Sequence, residues 1–179
     1  MKISQKKAGV FKGMATAMLV SLLTVTLGIM TDPFHFHKIE GLEGKLEVLG
    51  LSIILPTLFL TASIGRLAKF RFFSPEDIDG SGLTKGSEKA IILQSLLQNT
   101  LEQLVIAIGA YTAWCLVMPA AWLSAVPLCS LAFAIGRLSF YSGYQKGAPP
   151  RAFGFALTFY PTVLLLLLLV FYQIVKFII

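Results

Sequence analysis

Charge is scarce in this sequence. Only 13% of its 179 residues are Asp, Glu, Lys or Arg, while 56% are hydrophobic; an average soluble domain carries about 25% charged residues. At a mean hydropathy of +0.78 the chain has too few polar groups to cover a water-soluble globule. No soluble catalytic domain is expected, and lipid is the solvent the composition requires. The other shortages exclude chemistry. Cys115 and Cys129, both inside apolar stretches, show neither disulfide nor metal spacing and read as small apolar filler. His35 and His37, in FHFH, lack acidic or cysteine partners at ligand spacing, so no metal site is expected. The sequence contains no Gly-rich phosphate loop, no Ser-His-Asp set and no zinc motif.

What the sequence has is apolar length. A helical span takes about 20 mostly apolar residues, because the hydrocarbon layer is about 30 Å thick and a helix rises about 1.5 Å per residue. Five stretches qualify. The first, 14–30, follows Lys2, Lys6, Lys7 and Lys12 in the manner of a secretory signal. Its apolar part is long for a signal, and no small-x-small cleavage site precedes Asp32-Pro33. It is read as an uncleaved anchor, the alternative being cleavage with a mature N-terminus near Thr31. The second, 46–67, is interrupted by Pro56, which is expected to kink it. The third, 88–118, exceeds what a span requires, so its first turns project into water or the helix tilts. The fourth, 121–141, follows a very short turn at Pro119 and forms an antiparallel hairpin with the third. The fifth, 153–179, contains the leucine run 164–169.

Positively charged loops stay cytoplasmic. With the N-terminus inside, the cytoplasmic segments hold Lys2, Lys6, Lys7 and Lys12, then Arg66, Lys69, Arg71, Lys85 and Lys89, then Arg137, Lys146 and Arg151. Those are twelve of the fifteen Lys and Arg, leaving Lys38, Lys45 and Lys176 opposite. The net charge of +6 therefore reports topology and contact with anionic membrane lipid, and no nucleic-acid partner is needed to explain it.

Polar groups stand out inside the third span, IILQSLLQNTLEQLVIAI. Gln94, Gln98 and Glu102 repeat every four residues, with Ser95, Asn99 and Gln103 beside them. At about 100° per residue these six share one half of the helix, and Leu93, Leu96, Leu97, Leu101 and Leu104 the other. The polar half is not expected to face lipid. An ionisable group in a span usually faces a bundle interior or a wet cavity, which makes Glu102 a functional candidate. Alternatively, the amides and Glu102 are hydrogen-bonding glue between helices or protomers. A second cluster lies in GRLSFYSGYQKGAPPRAFGF (136–155), where Arg137, Tyr141, Tyr144 and Arg151 are expected at one membrane surface. Guanidinium forks and phenol hydroxyls suit an anion with carboxylates, but Tyr and Arg are equally the ordinary anchors of a membrane interface.

Three segments carry a resemblance: FRFFSPEDIDG (70–80) after one span, QNTLEQ (98–103) within the next, and RLSFYSGY (137–144) followed by Arg151 around the later pair. In this order and spacing the chain resembles the MAPEG family, the membrane-associated proteins in eicosanoid and glutathione metabolism, from residue 46 to the C-terminus. The resemblance implies an all-α integral membrane protein, with 46–179 a four-helix transmembrane bundle and 1–45 an additional N-terminal anchor helix and its connecting loop. It implies a homotrimer that binds glutathione as a substrate between protomers near the cytoplasmic face, with the lipophilic second substrate entering from the bilayer. Carried over by position, Asn99 and Glu102 contact the glutathione peptide, Tyr144 helps hold it, Gln98 and Arg137 join the binding set, and Arg151 stabilises the thiolate.

The sequence departs from the family pattern at Ser95, where many glutathione-using members have arginine, and at Phe140, where tyrosine is common. Losing one cation from such a site costs about 1.5–3 kcal/mol, or ten- to a hundredfold in affinity. Two functions remain open. One is a glutathione or related-thiol transferase or peroxidase acting on lipophilic electrophiles or hydroperoxides. The other is a non-catalytic membrane protein whose polar cluster fixes the trimer or binds lipid. The turn-rich loop 72–87 is a candidate cap for the site.

Overall fold

A computed structural model of the chain describes residues 3–178, so Lys2 of the orientation argument and Ile179 of the fifth predicted span lie outside the described residues. Five α-helices follow one another: α1 (Ile3–Met30), α2 (Gly41–Phe72), α3 (Glu88–Val117), α4 (Ala125–Gly143) and α5 (Ala148–Ile178). Short 3-10 turns precede α2 and α4 and follow α4. All five spans are long and apolar enough to cross a membrane, and no strand occurs among the described residues. The chain is an all-α, multi-pass integral membrane protein.

Helix ends follow local chemistry. α1 begins well before residue 14 because Lys6, Lys7 and Lys12 are good helix formers that merely fall outside the apolar window. It stops at Thr31-Asp32-Pro33, where proline restricts the preceding residue to non-helical backbone. Ser87 caps α3, its hydroxyl accepting from the Ala90 backbone N–H at 3.3 Å. Pro149 and Pro150 occupy the first turn of α5, where the missing N–H costs nothing. Pro56 lies buried inside α2, which runs unbroken around it.

Packing relies on small residues, since lipid supplies no hydrophobic drive between helices. At Gly136 of α4 and Gly154 of α5 the two backbones touch; a Cβ on Gly154 would stand 2.6 Å from the Gly136 carbonyl oxygen. α1 runs parallel to α5, Gly9 against Pro149 and Gly13 against Ala152 and Phe153, and antiparallel to α4, Gly28 against Ala125. The chief neighbour of α3 is α2, while α4 packs on α5 and α2. The expected α3–α4 pair is therefore antiparallel in direction but not the tightest contact of either helix.

The hydrophobic core lies toward the end of the bundle opposite the α4–α5 turn, around Tyr111, Trp114, Met118, Leu123, Val126, Phe133 and Leu165. That far end is closed by polar contacts. Asp32 accepts from the backbone N–H of Phe36 (3.0 Å) and His37 (2.8 Å), from the His37 ring (2.7 Å) and from the Ser124 hydroxyl. Burial alone would raise its pKa, but the hydrogen bonds from Ser124 and His37 outweigh that and hold the carboxyl well below the usual range. Lys45 donates to the Met118 carbonyl at 2.8 Å, meeting the negative end of α3.

The third span departs from expectation in part of its polar half: Gln103 turns inward and Ser95 and Asn99 are half-buried, but Gln98 and Glu102 are not covered. Leu93, Leu96 and Leu104 are buried against the bundle, together with Thr100 and Gln103. Gln98 and Glu102 lie on the outer surface of the single chain, hydrogen-bonded to each other at 3.0 Å. Helical periodicity separates two faces, but the neighbours a helix acquires decide which one is covered.

Candidate functional site

A cavity opens at the end of the bundle that carries Arg66, Lys69, Lys89 and Lys146. Here α3 presents Ser95 and Asn99, α4 presents Phe140, the 3-10 turn after it presents Tyr144, and α5 presents Arg151, Ala152 and Phe155 around one cavity of about 380 Å³. Val10 and Met14 of α1 complete its lining. Gly143, packed against the Pro150 backbone, lets the α4–α5 turn close tightly enough to set Tyr144 beside Arg151. The Arg151 guanidinium lies over the Tyr144 ring, 4.8 Å from its centroid, and Phe140 meets Tyr144 edge-on at 5.3 Å.

Arg137 lies beneath this cavity, not in it. It is fully buried. Its Nη1 donates to Asn99 Oδ1 at 2.8 Å and its Nε to Thr158 Oγ1 at 3.0 Å, and the guanidinium stacks 4.6 Å from the Phe140 ring centroid. Nη2 has no partner among the described residues. Arginine is a donor only, so the Asn99 atom facing it is the carbonyl oxygen, and the Asn99 amide NH₂ is left to donate elsewhere. With Arg151 and the Tyr144 hydroxyl, the cavity offers several donors and no lining carboxylate. Such a set selects a ligand rich in acceptors or negative charge.

The other residues singled out from sequence are placed elsewhere. Tyr141 points to α2 and α3, its hydroxyl sharing hydrogen bonds with Ser63 (2.6 Å) and Thr100 (2.8 Å). The expected cluster of two arginines and two tyrosines thus divides, because side chains one turn apart on α4 meet different neighbours. Gln98 and Glu102 do not line the cavity. Val10, Met14 and Phe155 were not anticipated as lining residues. Nothing polar marks them; the four-residue spacing of Gly9 and Gly13 is the sequence feature that fits close packing of α1.

The loop between α2 and α3 makes a second, smaller cavity of about 130 Å³, which shares Ser95 with the first. It is braced from within. Asp77 accepts from the Ser87 hydroxyl and backbone N–H and from the Ser74 hydroxyl, each at 2.7 Å. Those bonds, Ser87's foremost, hold its carboxyl below the usual range. Arg71 donates to Gln94 at 3.1 Å. The loop's polar groups are largely satisfied by one another, so this cavity has less to offer a ligand. In a separate groove Arg66, Lys69 and Lys89 lie with Phe70 and Phe73, the mix expected where helices leave lipid. His37 is engaged by Asp32, and no group of three His, Cys, Asp or Glu side chains that could hold a metal occurs among the described residues.

A family model described as the MAPEG family matches residues 48–171, more than half of the chain. α1 lies outside the match. No curated protein and no solved structure matches.

Proposed function

The chain belongs to the MAPEG family, and on that premise we propose that it is a membrane-bound transferase or peroxidase that uses glutathione or a related thiol against a lipophilic electrophile or hydroperoxide. The observation that carries this reading is the convergence of Arg151, Tyr144 and the Asn99 amide on one cavity without a carboxylate. A free thiol has a pKa of about 8.5, and a cation beside it raises the thiolate fraction that attacks an electrophile. Arg151 is the residue in place for that. The Asn99 NH₂, its carbonyl held by Arg137, donates to a ligand peptide carbonyl, and the Tyr144 hydroxyl holds a carboxylate. Phe140 and Phe155 offer the second substrate an apolar surface.

The assembly we propose is a homotrimer with the site at the cytoplasmic face. Gln98 and Glu102, exposed in mid-span on the single chain, are costly against lipid and are covered when a second copy packs there. In the trimer Glu102 and Gln98 can then reach a ligand bound to the neighbour. The cations gathered at the site end orient it inward.

One observation favours a different reading. Ser95 and Phe140 stand in the cavity where many glutathione-using members have arginine and tyrosine, and Arg137 is held by Asn99 and Thr158 instead of facing a ligand. A non-catalytic protein whose polar groups fix the trimer or bind lipid would have the same structure. Calorimetric titration of glutathione into the detergent-purified chain separates the two. Saturable binding, weakened about ten- to a hundredfold in Arg151→Ala and also weakened in Asn99→Ala, supports the thiol enzyme. No binding at about millimolar glutathione leaves the non-catalytic reading.

A further inference from the structure

Val10 and Met14 line the cavity that holds Asn99, Tyr144 and Arg151, yet they belong to α1, outside the residues 48–171 that the family model covers. Their position is set by their neighbours. A Cβ on Gly9 would stand 2.9 Å from the Pro149 side chain, and one on Gly13 would stand 3.1 Å from the Phe153 backbone nitrogen. α1 is therefore seated on α5 along its glycine face. Val10 and Met14 each follow one of these glycines by one residue, about 100° further round the helix, and so turn toward the cavity on two successive turns. Met14 remains 39% exposed, so α1 stands between the cavity and the surrounding lipid. Asn99, Tyr144 and Arg151 give the cavity its polar lining, while Val10, Met14, Ala152 and Phe155 give it an apolar one.

We propose that α1 is the selectivity wall of this site, with Val10 and Met14 contacting the apolar part of the second substrate and setting the size that fits. The proposal rests on the thiol-ligand reading above and names the substrate class. At about 380 Å³ the cavity is at the small end for ligand pockets, which run from about 300 to 1,000 Å³. It takes a compact apolar group joined to the thiol, and on the side that α1 covers Val10 and Met14 stand in the way of a long acyl chain.

The test uses the full chain in lipid nanodiscs, with S-methyl-, S-hexyl- and S-decylglutathione as probes. In the parent chain the hexyl compound binds more tightly than the methyl, and the decyl gains nothing further. In Met14→Ala and Val10→Ala the decyl compound gains about tenfold. In Met14→Trp the hexyl compound loses about tenfold while the methyl is unchanged. The same ranking of all three probes in every variant overturns the proposal. If no S-alkylglutathione binds at all, the thiol reading fails, and the wall is judged by labelling Ser95→Cys with N-alkylmaleimides against Ser142→Cys, an exposed control. Long maleimides then react faster at position 95 when Met14→Ala is added and slower when Met14→Trp is added, with position 142 unaffected. Rates at position 95 that ignore both changes overturn the wall as well.

Discussion

The two ends of the bundle treat their principal charged groups in opposite ways. At the far end, Asp32 is met by donors from Ser124, Phe36 and His37, Lys45 sits on the Met118 carbonyl, and Trp114 Nε1 donates to the Trp122 carbonyl at 3.0 Å. At the site end, Arg151 has an aromatic neighbour and no carboxylate partner among the described residues. A polar group completed by its own chain is architecture, since removing it leaves unpaired donors. A polar group left incomplete beside a cavity is available to a ligand, since removing it disturbs little else. The loop before α3 shows that the distinction concerns bonding and not location, because Asp77 is as fully satisfied as Asp32 although it lies at the site end.

Substitutions that reverse the two roles test the comparison most severely. Asp32→Ala removes a charged acceptor from several buried or half-buried donors and is expected to cost about 3 kcal/mol of stability, read by thermal unfolding in detergent. The protein that remains folded should keep its ligand affinity. Arg151→Ala should do the reverse, leaving stability within about 0.5 kcal/mol and weakening ligand binding by about ten- to a hundredfold. A large loss of stability in Arg151→Ala would erase the distinction between the ends.

Acid titration sharpens the comparison within the satisfied class. The folded-state pKa of Asp32 and of Asp77 is lowered, so each contributes stability that is complete above the ordinary aspartate value of about 3.9 and is lost as pH falls through the lowered one. The melting temperature should hold level from neutrality to about pH 5 and decline below about pH 4. Asp32→Asn and Asp77→Asn should each flatten that decline. The smallest effect is expected of Lys45→Met, which removes one donor from the end of α3 and costs about 0.5–1 kcal/mol with no change in ligand affinity.

Five spans and the family were legible in the sequence, because lipid imposes length and apolarity on each segment locally and because three motifs fall in family order. The faces were less legible. On α3 the two halves separated cleanly by period, yet Leu93, Leu96 and Leu104 turned inward and Gln98 and Glu102 outward, since α2, the chief neighbour, covers one side of the helix and no helix of the chain covers the other. Arg137 looked like a ligand contact because it is a cation near a membrane end, but Thr158 on α5 and Asn99 on α3 claim it, a pairing that only the folded chain brings about. The share of α1 in the cavity was not legible, because valine and methionine in an anchor helix carry no signal of what they will face.

The central claim is that Arg151, left without a carboxylate, serves a thiol. Ultraviolet absorbance of bound thiolate tests it most directly, with glutathione added to the purified chain at neutral pH. The account predicts a thiolate signal in the parent chain that saturates with glutathione and disappears in Arg151→Ala. An equal signal in both proteins, or none in either, would contradict it.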